Sequence, residues 1–283
     1  MPISAIGAVE KLIAQLDNNN VVQYQLPLAA INENTEQQSI ALNPLIGKTL
    51  TLHFHHKIAC KHCGKTTKKS YSQGFCYPCM TKLAQCDMCI MKPETCHHHL
   101  GTCREPQWGE QHCMVDHYVY LSNTSALKVG ITRHTQIPTR WIDQGATQAL
   151  PIFKVSTRLQ SGLVETALAE FISDKTNWRA MLKGSNEPID LKGQANILVP
   201  QIEQRLADVA LKFGDDAVQL LDEKVVEINY PVSQYLTKIS SFNFDKTPIV
   251  SGILLGIKGQ YLIFEQGVIN MRKFTSYQIS VEY

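Results

Sequence analysis

Two CxxC pairs, Cys60-Lys-His-Cys63 and Cys76-Tyr-Pro-Cys79, stand twelve residues apart in this chain of 283 residues. A CxxC turn aims two sulfurs at one point, so two such turns supply the four thiolates of a tetrahedral Zn²⁺ shell. A shell closed by four protein ligands is structural rather than catalytic. The spacing is that of a zinc ribbon or treble clef. Between residues 58 and 114, Gly64, Gly74, Pro78, Pro93, Gly101, Pro106 and Gly109 interrupt the chain too densely for long helices, so metal is expected to stand in for a missing core.

A second set follows at once: Cys86-Asp-Met-Cys89, then Cys96-His97-His98-His99, Cys103 and His112-Cys113. These offer more ligands than one ion takes. Zinc is the expected metal, making two structural ions in all, while a four-cysteine iron–sulfur cluster also fits the inventory. Spacing does not choose which of Cys96, Cys103, Cys113 and the histidines complete the Cys86 and Cys89 pair. His97, His98 and His99 cannot all ligate one ion, so most of them are expected not to be ligands.

Nine cysteines in a chain whose start shows no export signal favour metal ligation over disulfides, and the expected setting is the cytoplasm. The longest apolar run, around Ile249 to Ile257, is too short to span a bilayer, so no membrane partner is expected. With 44% hydrophobic and 18% charged residues the composition excludes a disordered or fibrous chain. A formal net charge of +2 hides one basic stretch, Lys57 to Cys86, with six lysines and no carboxylate. That stretch suits a polyanion or a solvated face equally well.

The expected fold class is α+β and multidomain. Residues 1–57 read as a β-rich part, with strand-like runs at Val21 to Leu26 and Thr49 to His55. Residues 58–114 form the cysteine-rich module. In 115–199, Tyr118 to Leu121 and Ala126 to Thr132 read as a hairpin. Leu163, Val164, Ala167, Leu168, Phe171 and Ile172 then mark one face of a helix over Ser161 to Ser173, giving a mixed α/β unit. Residues 200–283 read as a helix opened by Pro200, then strands at Lys224 to Tyr230, Ile249 to Ile257, Gln260 to Phe264 and Tyr277 to Val281. Gly252, Gly256 and Gly259 would let those strands bend into a small barrel.

Tyr118-Val119-Tyr120, then Lys128-Val129-Gly130-Ile131-Thr132-Arg133, then Arg140, and Glu165 on the following helix resemble the GIY-YIG nuclease superfamily. The resemblance implies a three-stranded sheet with flanking helices. On it Tyr120 and Arg140 would stand near a scissile phosphate and Glu165 would bind a divalent ion, Mg²⁺ or Mn²⁺. Lys128 stands where that family carries a tyrosine. Two expectations therefore stay open: metal-dependent phosphodiester cleavage, or a degenerate site that only binds. Whatever the chemistry, Lys128, Arg133 and Arg140 near one hairpin would form a phosphate-binding surface. DNA or RNA is the expected partner, with protein docking on the zinc module as the alternative.

The cysteine order from Cys86 to Cys113, the segment from Cys96 to Trp108-Gly109, Arg140-Trp141-Ile142-Asp143-Gln144-Gly145-Ala146 and Gly259-Gln260-Tyr261-Leu262 resemble the bacterial domain-of-unknown-function family 2797 over most of the chain. That resemblance implies a combined zinc and GIY-YIG-like architecture. It brings no activity with it.

Overall fold

In Thr49–Ile58, buried Leu50, Leu52 and Phe54 alternate with partly exposed Thr51, His53 and His55, the period of a strand with one face on a core. The computed structural model, which describes residues 4–33, 35–184 and 187–283, builds two antiparallel sheets from such strands. It divides into two compact units. One comprises the chain through residue 81, residues 182–184 and residues 229–283; the other holds 82–181 and the stretch that runs to 228.

The first unit contains the nine-stranded sheet. Its order is Gly267–Asn270, Tyr261–Phe264, Ile249–Lys258, Thr49–Ile58, Tyr277–Glu282, Ser4–Val9, Val22–Ala29 and Ile13–Leu16, with Gln38–Ala41 also paired to Val22–Ala29. Val250, Leu52, Val281 and Ala5 fall in register across four of these strands, and all are buried.

Two expectations change here. The N-terminal part over 1–57 and the C-terminal part over 200–283 are not separate, because Thr49–Ile58 runs between Ile249–Lys258 and Tyr277–Glu282. The C-terminal strands do not make a sheet of their own but continue into the N-terminal ones. An amphipathic strand advertises its buried face in its own sequence, but which edge it joins is settled by the other strands available. Gly256 serves close approach rather than closure: a Cβ there would meet the Val232 Cα at 2.5 Å.

In the second unit His117–Asn123 lies between Leu127–Arg133 and Gln148–Val155. Val218–Leu220 and Val226–Glu227 pair with the far side of Gln148–Val155. The hairpin falls where the sequence indicates it, whereas the strand expected around residues 224–230 joins this sheet and not the C-terminal one. The helix runs Arg158–Ala169, earlier than its apolar stripe suggests, because Thr157 and Gln160 form a reciprocal capping box that fixes its start. Pro200 lies inside the helix Leu191–Gln201 rather than opening the next one, Glu203–Phe213. Val119, Leu121, Val129 and Ile131 of the hairpin pack with Val164, Leu168, Leu198 and Ile202 into one core. Among the described residues no helix is long and apolar enough to cross a membrane.

Candidate metal centres and a buried charge cluster

The first cysteine set is built by two turns. Gly64, at φ +71°, lets its N–H reach back 2.8 Å to the Cys60 carbonyl, and the Cys60 N–H donates to the Lys65 carbonyl at 2.9 Å. Reciprocal bonds between Tyr71 and Phe75 form the next turn. The helix Tyr77–Lys82 follows, with the Met80 N–H bonded to the Cys76 carbonyl, which places Cys79 within one turn of Cys76. The sulfurs of Cys60, Cys63, Cys76 and Cys79 all lie within 4.8 Å of one another.

Cys63 and Cys76 are 3.8 Å apart, and a tetrahedron with Zn–S bonds of ~2.3 Å has edges of ~3.8 Å. Burial alone would raise the Cys60 thiol, but the backbone N–H groups of Cys63, Cys76 and His62 donate to its sulfur and hold it at about 6. Burial pushes Cys79 up, and the neighbouring thiols Cys76, Cys63 and Cys60 push it further. Such a set ionises fully only around a cation, so the cluster suits zinc.

The second set assembles differently. Cys89, Cys96, Cys103 and Cys113 line one enclosed cavity together with Asp87, His97 and Trp108. Cys86 is not among those lining residues. Asp87, between Cys86 and Cys89, is extended, at φ −64° and ψ 153°, and separates two short helical turns. The Asp87 carboxylate instead accepts from Arg104 Nε at 2.6 Å and from the Cys89 N–H at 3.3 Å.

Two of the histidines, His97 and His98, also line this cavity. His97 Nδ1 bonds Thr102 Oγ1 at 2.8 Å, His98 Nε2 lies 3.2 Å from Glu110 and from the Pro106 carbonyl, and His112 stacks on Trp108 at 4.1 Å. His99 is exposed. Asp87, Cys89 and His97 do offer ligand atoms within 4.8 Å of one another, a mixed trio beside the cavity.

The hairpin register puts Tyr120 opposite Gly130 and Ser122 opposite Lys128, so Tyr120 and Lys128 share one face of the sheet. The Tyr120 ring lies across Gly130, where a Cβ would stand 2.6 Å from its hydroxyl. Fully buried, Tyr120 donates to Gln144 Oε1 at 2.9 Å and packs edge-on to buried Trp141. Burial raises its phenol to about 12, a rise that Arg140 opposes.

Lys128 is 4% exposed. Burial lowers its ammonium to about 8 and Arg140 lowers it further, against Glu165 and Asp174. Burial raises Glu165 to about 7, opposed by Lys128 and Arg140. Tyr120, Lys128, Arg140 and Glu165 are thus one electrostatic group. Arg133 is not part of it. Paired in register with His117 at the other end of the strand, it has Arg158 and Cys113 as its charged neighbours.

Three members of these sites carry no strong signal in the sequence. Gln144 and Asp174 are ordinary polar residues on either side of the helix. Arg158, whose guanidinium donates to the carbonyls of Cys89 at 3.3 Å and Ile90 at 2.7 Å, looks like any residue in a first helical turn. Only the position just after the Thr157 cap could have drawn attention to it.

Fold and site together define a mixed α/β protein with two antiparallel sheets and a four-cysteine cluster able to bind metal. The chain belongs to the family described as a protein of unknown function, DUF2797, whose model matches residues 47–279. No curated protein and no solved structure matches it.

Proposed function

We propose that this protein binds nucleic acid through a GIY-YIG-like second unit, with a zinc module at Cys60 to Cys79, and cleaves a phosphodiester when a divalent ion is held at Glu165. The observation that carries this reading is the electrostatic group of Tyr120, Lys128, Arg140 and Glu165. Mg²⁺ or Mn²⁺ bound there would supply charge stabilisation for the developing transition state. Arg140 would hold the phosphate oxygens, the Tyr120 hydroxyl, oriented by Gln144, would fix the attacking or leaving oxygen, and Lys128 would add a second point charge. The hairpin, third strand and helix are the elements the GIY-YIG resemblance implies. Exposed Lys61, Lys65, Lys68 and Lys69 give the zinc module a surface suited to a phosphate backbone.

One observation favours a second reading, binding without cleavage. Lys128 already opposes the charge of Glu165, a job that a divalent ion does in a working site. Incubating metal-analysed protein with labelled single- and double-stranded DNA and RNA, with Mg²⁺ or Mn²⁺, separates the two. Cleavage that falls about 100-fold or more in Glu165→Ala, with binding spared, establishes the nuclease. Substrates retained intact by both proteins establish the binding module, and steep weakening with salt marks phosphate contact. Failure to retain any substrate at low salt removes both readings.

A further inference from the structure

We propose that Cys89, Cys96, Cys103 and Cys113 hold a second zinc ion, and that Arg133 and Arg158 balance the charge of its four-thiolate shell. The four cysteines line one cavity with a volume of about 10 Å³, the space of a single water or a single ion. Within it the Cys96 and Cys113 thiols are hydrogen-bonded to each other. The Cys96 sulfur also accepts from the His98 N–H two residues on, as the Cys60 sulfur of the first set accepts from the His62 N–H. Tetrahedral zinc takes four such sulfurs and needs no further atom between them.

Each sulfur arrives on a short, well-fixed element. Cys89 is in the turn Met88–Ile90, Cys96 follows the turn Pro93–Thr95, and Cys103 and Cys113 flank the helix Pro106–His112. Gly109 of that helix leaves the Cys103 sulfur its place: a Cβ there would lie 3.2 Å from that sulfur and 2.5 Å from the His98 ring. Leu159, Trp108, Leu163 and Phe213 make the surroundings apolar, which strengthens any pairing of charges inside.

Charge decides between four thiolates and a mixed shell. Arg133 and Arg158 are half-buried and near each other, and among the described residues neither forms an ion pair with a carboxylate. The groups that favour their charge are cysteines, Cys113 for both and Cys89 and Cys96 for Arg158. Bonds to the carbonyls of Cys89 and Ile90 fix Arg158 there. Glu165 also feels Arg158, but Lys128 and Arg140 act on it first. A guanidinium keeps its proton, so beside neutral thiols two positive charges would stand without a counter-charge. Four thiolates around Zn²⁺ carry two net negative charges, and the two arginines match them. The rival shell starts from Asp87, Cys89 and His97, whose ligand atoms lie within 4.8 Å of one another. Its carboxylate is already matched by Arg104 at 2.6 Å, which leaves Arg133 and Arg158 unanswered. This proposal does not rest on any action on nucleic acid.

The test is zinc analysis of the full chain after loading with Zn²⁺ and removal of unbound ion, together with Co²⁺ substitution. About two zinc ions per chain are expected, falling to about one in Cys103→Ser and in Cys113→Ser and staying at about two in Cys86→Ser and His97→Gln. Arg133→Gln should weaken the hold on the second ion against a competing chelator about tenfold or more and leave the first unchanged, and Arg133→Lys should restore it. In the wild type both Co²⁺ ions should show the visible absorption of a four-thiolate tetrahedron, a reading that needs no variant to fold. Equal zinc in wild type and Cys113→Ser overturns the proposal, as does a second ion lost in His97→Gln or a second Co²⁺ with nitrogen or oxygen ligands. Iron with sulfide in place of the second zinc overturns it too, and unchanged affinity in Arg133→Gln removes the charge balance on which it stands.

Discussion

Around its four sulfurs the Cys60–Cys79 set has little but turns, and every side chain from Lys61 to Gln73 is exposed or half-buried. Cys89, Cys96 and Cys113 instead form an apolar cluster with Leu159, and Trp108, Leu163 and Phe213 pack against it. The first set is therefore a cluster that suits a metal ion and has little apolar packing around it. The second is a packed core into which sulfurs have been placed. Metal ligation contributes ~10–16 kcal/mol to zinc modules that lack a core, whereas burying one apolar side chain contributes only ~1.5–3 kcal/mol. The two sets should respond differently when metal is withdrawn.

The largest effect is expected from Cys76→Ser. Loss of the first ion should open the Cys60–Lys82 stretch, so trypsin should cut at Lys65, Lys68 and Lys69 at least about tenfold faster. An unchanged digestion rate would mean that the turns hold without metal and would erase the contrast.

Next comes Gly162→Ala. A Cβ there would lie 2.2 Å from the Glu94 amide nitrogen and 2.5 Å from the Pro93 carbonyl carbon, both backbone atoms, so the helix Arg158–Ala169 must move off the turn Pro93–Thr95. A loss of about 3 kcal/mol in urea unfolding is expected, with zinc at the first set retained. Full stability would show that packing does not support the second set.

Acid tests the same packing through His117, which is fully buried with its Nδ1 on the Val115 carbonyl. Burial lowers it from 6.5 to about 4. The folded state thus favours the neutral ring and the unfolded state binds the proton first. Stability is complete above about 6.5 and declines as pH falls toward about 4, by up to about 3 kcal/mol. His117→Gln should flatten that decline in equilibrium unfolding.

The smallest effect concerns the charge cluster in the second unit. In EDTA, oligonucleotide binding should strengthen a few-fold as pH falls from about 8 to about 7. Below about 8 Lys128 gains its charge, and below about 7 Glu165 loses its own, so both changes make the group more positive. Lys128→Met should remove most of the response. Binding that disappears in EDTA and returns with Zn²⁺ but not with Mg²⁺ would locate it on the first cysteine set instead.

How much was legible follows from how local each feature is. The CxxC turns of the first set depend on four consecutive residues apiece, and Gly64 and Gly74 supply the positive φ angles they need. The hairpin and the capped helix announce themselves through alternation and through Thr157 with Gln160. The place of Asp87 between Cys86 and Cys89 is not announced by the sequence: an ion pair to Arg104 and a bond from the Cys89 amide fix its carboxylate. Arg133 stands apart from Lys128 because strand position, not sequence distance, decides which charges meet. Gln144 and Arg158 became visible only beside the groups they bond.

By itself, then, the sequence determined the four-thiolate shell at Cys60 to Cys79, the alternating strands, and the residues of the hairpin from which the charge cluster is drawn. Each is written within a few consecutive positions as turn geometry or side-chain period. Only the tertiary structure decided that Thr49–Ile58 joins the C-terminal strands, that Cys89, Cys96, Cys103 and Cys113 line one cavity, and that Glu165 comes beside Lys128. Those are contacts between segments distant along the chain. They are selected by which buried faces and charges fit once the whole chain has collapsed, and no local pattern encodes that choice.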